Sequence, residues 1–115
     1  MRDDKPNLIV DLTFQLSLKI MAFAEELDEK RKFVFANQIL KAGTSIGANV
    51  SEAQNAESKA DFIHKLKIAA KEADEVAYFL NLSNESPTYP NCEELILNVN
   101  SIIKVLSKII GSSKK

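Results

Sequence analysis

Asp61 and His64 stand three residues apart, a spacing that puts a carboxylate and an imidazole on one face of a helix. Two Glu-x-x-His pairs pointing into a bundle can hold two metal ions, so this pair resembles half of such a site. The other half has no residues to build it. His64 is the only histidine, and the apolar pattern around it turns it away from the core, so it reads as a solvated surface side chain. Cys92 is the only cysteine. As a nucleophile it would need a base beside it, and none is indicated; at the edge of an apolar stripe it reads as a small buried hydrophobe. Asn49-Val-Ser51, Asn81-Leu-Ser83 and Asn84-Glu-Ser86 match the glycosylation triplet. The opening Met1 to Pro6 is polar and shows no charged-then-apolar leader, so these read as chance matches. The chain has neither a glycine-rich phosphate loop nor a Cys/His metal spacing. Catalysis, a cofactor, a metal and a small-molecule substrate are therefore not expected.

Two groups of polar residues are candidates for recognition. Ser45, Asn49 and Glu52 fall beside the apolar stripe of their helix. They read either as local caps and backbone partners or as a polar contact between subunits. Lys41, Lys59, Lys67 and Lys71 are the candidate nucleic-acid contacts, interleaved with Asp61, Glu72, Asp74 and Glu75. Such alternation is the pattern of a solvated helix face, although several copies of a weak patch in one assembly act as a strong one.

The elements that must position these residues are helices. With 115 residues the chain is one domain's worth, and three Gly and three Pro suit long helices with short loops. Fifteen Lys and Arg against sixteen Asp and Glu give a net charge of −1, so the whole molecule has no attraction to nucleic acid or anionic membrane. A lone cysteine excludes an internal disulfide and fits a reducing compartment. No apolar run approaches the roughly 20 residues of a membrane span; a soluble, cytoplasmic protein is expected.

At about 100° per residue, helix one covers about residues 7–27, with Ile9, Leu12, Leu16, Ile20, Phe23 and Leu27 in its core stripe and Thr13 and Ala24 on the border. Helix two covers about 30–53, with Phe35, Ile39, Ala42, Ile46, Val50 and Ala53 inward. Gly43 and Gly47 lie beside that stripe; they either let another helix approach closely or break this one in two. Helix three, about 58–83, opens on Ser58 and Asp61 as a capping box and carries Phe62, Leu66, Ala69, Ala73, Val76 and Leu80 inward. Helix four, about 91–110, is expected to be capped by Asn91 with Glu94. It carries Leu95, Val99, Ile102, Leu106 and Ile109, stops at Gly111 and leaves 111–115 as a tail. Short connections make consecutive helices antiparallel neighbours, an up-down-up-down four-helix bundle.

Helix one has a second stripe. Val10, Phe14, Leu18 and Met21 fall opposite its core face, and helix four has a weaker one in Ile96, Ile103 and Ile110. A bundle helix buries one face, and burying each large apolar side chain contributes about 1.5–3 kcal/mol. No fifth helix exists to cover this stripe, so self-association through Val10, Phe14, Leu18 and Met21 is expected.

Gly43-Thr-Ser-Ile-Gly-Ala-Asn-Val-Ser-Glu52, Asp61-Phe62, Lys65-Leu-Lys-Ile-Ala69 and Lys71-Glu-Ala73 to Tyr78 resemble the four-helix bundle (S23-like) family. These bacterial proteins were first noticed as reading frames in intervening sequences of 23S rRNA genes. The likeness extends to Asn7, to Cys92-Glu-Glu-Leu95 and to Ile102-Ile-Lys104, and so takes in nearly the whole chain. It implies the same bundle, assembled as a homopentameric ring. A related branch serves diversity-generating retroelements as an accessory protein that binds a reverse transcriptase and nucleic acid. Many relatives have Gly after the motif's Glu, where this chain has Ala53, which favours a helix extended past Glu52. The accessory branch is also strongly basic, and this chain is not. The resemblance implies a binding, scaffolding or accessory module with a protein partner, or alternatively a nucleic-acid-binding one.

Overall fold

A computed structural model describes residues 7–114; the polar opening Met1 to Pro6 and the last residue, Lys115, lie outside them. The chain forms four helices, α1 (Leu8–Glu29), α2 (Phe33–Ala53), α3 (Lys59–Glu85) and α4 (Glu93–Ser113), and no strand among the described residues. The molecule measures 45 × 22 × 21 Å. That cross-section is two helix diameters each way, at about 10–12 Å apiece. Consecutive helices pack side by side, α4 returns against α1, and the diagonal pairs do not approach one another. This is the packing order of an up-down bundle.

Helices α1 and α3 start where the sequence supplies a side-chain partner for the free N–H groups of the first turn. Asn7 caps α1, its Oδ1 accepting from the Val10 amide at 3.4 Å, while its Nδ2 donates to Gln54 Oε1 at 2.9 Å and ties the start of α1 to the end of α2. Ser58 Oγ accepts from the Asp61 amide at 3.0 Å. The Asp61 carboxylate reaches one residue further back than a capping box requires and accepts from the Glu57 amide at 3.2 Å. Helix one ends without glycine. Arg31 takes a left-handed φ of 64°, so that the Lys32 amide donates to Leu27 O and the Arg31 amide to Asp28 O, at 2.8 and 2.9 Å. These are the paired bonds of a Schellman stop.

Helix four departs from expectation at both ends. Cys92, not Asn91, occupies the cap position, and its amide donates to Asn84 Oδ1 at 2.8 Å. At the other end α4 runs through Gly111 to Ser113: Gly111 keeps a negative φ, and Ser113 Oγ bonds back to Ile109 O at 2.7 Å. By length and composition alone, α4 is long and apolar enough to cross a membrane, which amends the expectation that no segment is. Its buried residues Leu95, Val99, Ile102 and Leu106 belong to the bundle core, and Lys104 and Lys108 interrupt the run.

The core follows the expected stripes with four displacements. Thr13 is buried and Leu12 only partly so; Ala36 is buried and Phe35 partly so; Phe62 and Ile109 are half-buried. The first has a cause in the contact between α1 and α2. Helix two is continuous through Gly43 and Gly47, and α1 lies directly over them. A Cβ at Gly43 would stand 2.7 Å from Ile20 Cγ2, and one at Gly47 would stand 3.3 Å from both the Thr13 carbonyl and Ser17 Oγ. That approach turns α1 towards α2, which buries Thr13. Its hydroxyl is satisfied by Ile9 O at 2.8 Å, as the Ser17 hydroxyl is by Thr13 O at 3.0 Å.

Gly43→Ala is expected to destabilise the fold despite Ala's better helix propensity. Ile20 is β-branched and held at χ1 by its own helix, so overpacking of about 1–3 kcal/mol exceeds the propensity gain of about 1 kcal/mol. At Gly111, where an added Cβ meets nothing within 4 Å, the same substitution should be neutral to stabilising. Urea unfolding of both variants at one protein concentration checks the opposite signs.

Candidate functional site

Phe14, Leu18 and Met21 stand on the outer face of α1, exposed by 59%, 47% and 48%. Val10, the fourth residue of the expected stripe, is instead half-buried and packs against the core. Ser17, which meets Gly47, lies to the same side of the helix as the stripe, so the stripe borders α2. Phe33 at the start of α2 is also half exposed. The weaker stripe expected on α4 is not an exposed one: Ile96, Ile103 and Ile110 are half-buried against the core, and only Leu97 stands out.

A groove runs between α2 and α3. One hollow of about 320 Å³ is lined by Gln38, Lys41, Ala42, Ser45, Glu72, Glu75 and Phe79. A second, of about 210 Å³, lies at the end of the bundle between Phe35, Leu82, Ser83, Ser86 and Tyr89. Phe35 joins the two, its ring edge-on to Phe79 and Tyr89 with centroids 5.5 and 5.1 Å apart. Lys32 Nζ sits 4.7 Å from the centre of the Tyr89 ring, a cation–π contact. Val34 and Leu82, both exposed, flank this end. Spacing alone assigned Phe35 to the core; its partners, Phe79 and Tyr89, are brought to it by α3 and the loop after it.

Of the expected polar trio, Ser45 and Asn49 face the α2–α3 groove and Glu52 its far end. Asn49 Nδ2 donates to Ser45 O at 2.9 Å, a bond within its own helix. Glu52 pairs with Lys65 of α3 at 3.6 Å, and Lys65 also lies 3.9 Å from Asp61. These partly exposed pairs contribute little to stability; the first joins α2 to α3 and the second lies within α3. The four lysines are all exposed but do not converge. Lys67 and Lys71 share the outer face of α3 one turn apart, Lys41 lies across the groove among Glu72 and Glu75, and Lys59 opens α3 about 18 Å from Lys71 along the axis.

His64 is exposed, and no group of three His, Cys, Asp or Glu side chains able to hold a metal occurs among the described residues. Cys92 is buried at the start of α4, its Sγ donating to Leu80 O at 3.1 Å. Beside it, α1 and α4 leave an open cleft of about 310 Å³ whose lining includes Lys19, Glu26 and Glu94. Burial pushes the Cys92 thiol above its ordinary value, and the Glu26 and Glu93 carboxylates add to the rise.

Comparison with known proteins places this arrangement. The family model of the 23S rRNA-intervening sequence protein matches residues 5–109. The crystal structure of a protein of unknown function from the S23 ribosomal protein family of Bacteroides thetaiotaomicron superposes with a TM-score of 0.84 at 39% identity, over 89% of this chain and 97% of that one. No curated protein matches. The chain belongs to the 23S rRNA-intervening sequence protein family. Neither likeness indicates a catalytic family.

Cys92 should therefore behave as a core thiol. Because its proton is held more tightly folded than unfolded, little thiolate forms near pH 8, and the thiolate is the reactive species. An Ellman-type disulfide reagent at that pH is expected to react with the native protein at less than about a tenth of the rate seen in denaturant. Equal rates would show the thiol to be open.

Proposed function

We propose that this member of the 23S rRNA-intervening sequence protein family works without catalysis, as a self-associating four-helix bundle whose assembled surface docks another macromolecule. The observation that carries the proposal is the outer face of α1. Phe14, Leu18 and Met21 form an apolar row on a helix whose other face already fills the core. Covering each contributes about 1.5–3 kcal/mol, and a contiguous patch of this kind marks an interaction site. The family resemblance supports a homopentameric ring as the assembly. Native mass spectrometry tests the reading. The expected result is a multiple of the chain mass, five-fold for the ring, with a folded monomer for the Phe14→Glu, Leu18→Glu variant. A wild-type monomer would overturn it.

A second reading, direct binding of RNA or DNA, draws on Lys67 and Lys71, exposed together on α3 and repeated once per subunit in an assembly. Phosphate contacts release counterions, so affinity falls steeply with salt. If this reading holds, binding of a labelled single-stranded oligonucleotide weakens at least tenfold between 50 and 200 mM salt, on the order expected for several phosphate contacts, and Lys67→Ala, Lys71→Ala flattens the slope. A salt-insensitive or absent signal leaves the protein-docking role.

A further inference from the structure

We propose that the outer face shared by α3 and α4 is a track for a single strand of nucleic acid, its phosphates on Lys67, Lys71, Lys104 and Lys108 and a base stacked on Tyr78. The inference rests on the second reading above and adds the α4 half of the surface, the form of the nucleic acid and the stacking residue.

Two rows of side chains make the face. On α3, Lys67, Lys71, Asp74 and Tyr78 recur at intervals of four, three and four residues, one stripe of a helix. The stripe lies on the flank turned from α2, because Lys65, Glu72, Glu75 and Phe79 are the residues that meet α2. On α4, Leu97, Lys104 and Lys108 form the matching stripe. It is turned from α1, which Glu94, Asn98 and Ser101 meet. Helices α3 and α4 are antiparallel neighbours, so the two stripes run side by side. Their register is fixed at the start of α4, where Cys92 bonds to Leu80 O and to Asn84 Oδ1. Counting about 1.5 Å per residue from there along both helices, Lys104 comes level with Lys71, Lys108 with Lys67 and Leu97 with Tyr78.

The four lysines therefore share one patch, on helix axes about 8–10 Å apart. All four are exposed, and none is in an ion pair among the described residues. Neither residues 62–71 nor residues 95–114 contain an Asp or a Glu. The net charge of −1 conceals this, because many of the carboxylates gather at the other end of the bundle, on the last turns of α1 and α3 and the first of α4. Burying unpaired charges is costly, so a seam between copies is not expected here and the face stays in solvent.

An acidic protein would need only the lysines. What favours a nucleic-acid strand is Tyr78, 63% exposed and about 10 Å beyond Lys71 on the same stripe. An exposed ring beside a cationic track stacks bases, and an unpaired strand is free to turn a base onto it. Asp74, exposed between Lys71 and Tyr78, repels phosphate and confines it to the lysine end.

Fluorescence anisotropy with a labelled oligodeoxythymidine tests the track. Lys104→Ala, Lys108→Ala is expected to flatten the slope of log affinity against log salt by about 1.4, at about 0.7 per phosphate contact. Tyr78→Ala should weaken binding about fivefold or more with the slope unchanged, and Tyr78→Phe should bind as wild type, since stacking needs the ring and releases no counterion. Asp74→Asn should tighten binding. These positions are all exposed, so circular dichroism of every variant should match wild type. A wild type that does not bind removes this inference and the second reading together. Binding that responds to Lys67→Ala, Lys71→Ala but ignores Lys104→Ala, Lys108→Ala, or that ignores Tyr78→Ala, would overturn the shared track and leave the second reading standing. A duplex bound more tightly than the single strand would do the same. Polyglutamate competing as well as unlabelled strand of equal charge would also overturn it, and make the face a docking site for an acidic protein.

Discussion

Ile20 of α1 lies over Gly43 of α2 with no room for a methyl group between them, and four residues on Gly47 lies against the Thr13 carbonyl. Helices pack at 8–10 Å with ordinary side chains; two glycines one turn apart allow the near end of that range. The approach is steric, so it sets position rather than merely favouring it. Once α1 is seated there, its rotation about its own axis is decided. At Gly47 the facing side chains are short, Thr13 and Ser17, and at Gly43 the missing side chain makes room for the branched Ile20. Both hydroxyls bond back to their own helix, so the small polar residues at this contact leave no donor without a partner among the described residues.

The same seating leaves the opposite side of α1 loose. Towards α4, two clefts line the contact: one around Leu12, Gln15, Lys19, Asn98 and Ser101, of about 160 Å³, and one beside Cys92. Lys19 bridges them, with its Nζ 3.0 Å from Glu94 and 3.1 Å from Asn98. Leu12 is half-buried because it faces this gap, and Thr13, on the α2 side, takes its place in the core. Helix four is therefore held chiefly by α3, with Cys92 Sγ on Leu80 O at its start and Ser83 Oγ on Pro90 O fixing the loop that leads into it.

These displacements mark where the sequence was legible. The number of helices and nearly all of the core were readable because four amphipathic periods of over twenty residues overwhelm local noise, and Ser58 with Asp61 announced the start of α3. What escaped depended on tertiary contact. Thr13 for Leu12 could not be read without knowing which neighbour presses harder. The stop of α1 uses Arg31, a residue with no turn signature, because the Lys32 and Arg31 amides find Leu27 and Asp28 regardless of side chain. Gly111 looked like a stop and is not one, since glycine permits a left-handed turn without requiring it. The outer stripe of α1 was legible for three of its four residues. The α2–α3 groove was not, because it is built from rings contributed by three separate segments.

The distribution of apolar residues bears on what the molecule is for. The α1–α4 contact leaves a cleft lined by Leu12, Leu16 and Ile102 together with Gln15, Lys19, Asn98 and Ser101, so no large apolar side chain fills it. A sequence shaped only for the stability of one bundle would place large apolar residues in that gap, where about 25 cal/mol is gained per Å² of apolar surface buried. Instead Phe14, Leu18 and Met21 stand one face away, where an isolated bundle gains nothing from them and becomes prone to association. Helix propensity does not explain the choice either, since Lys, Glu or Gln would serve a solvated face as well as Leu or Met and better than Phe. A row of apolar side chains kept outside while a neighbouring cleft of the bundle stays unfilled fits a surface shaped by contact with another chain.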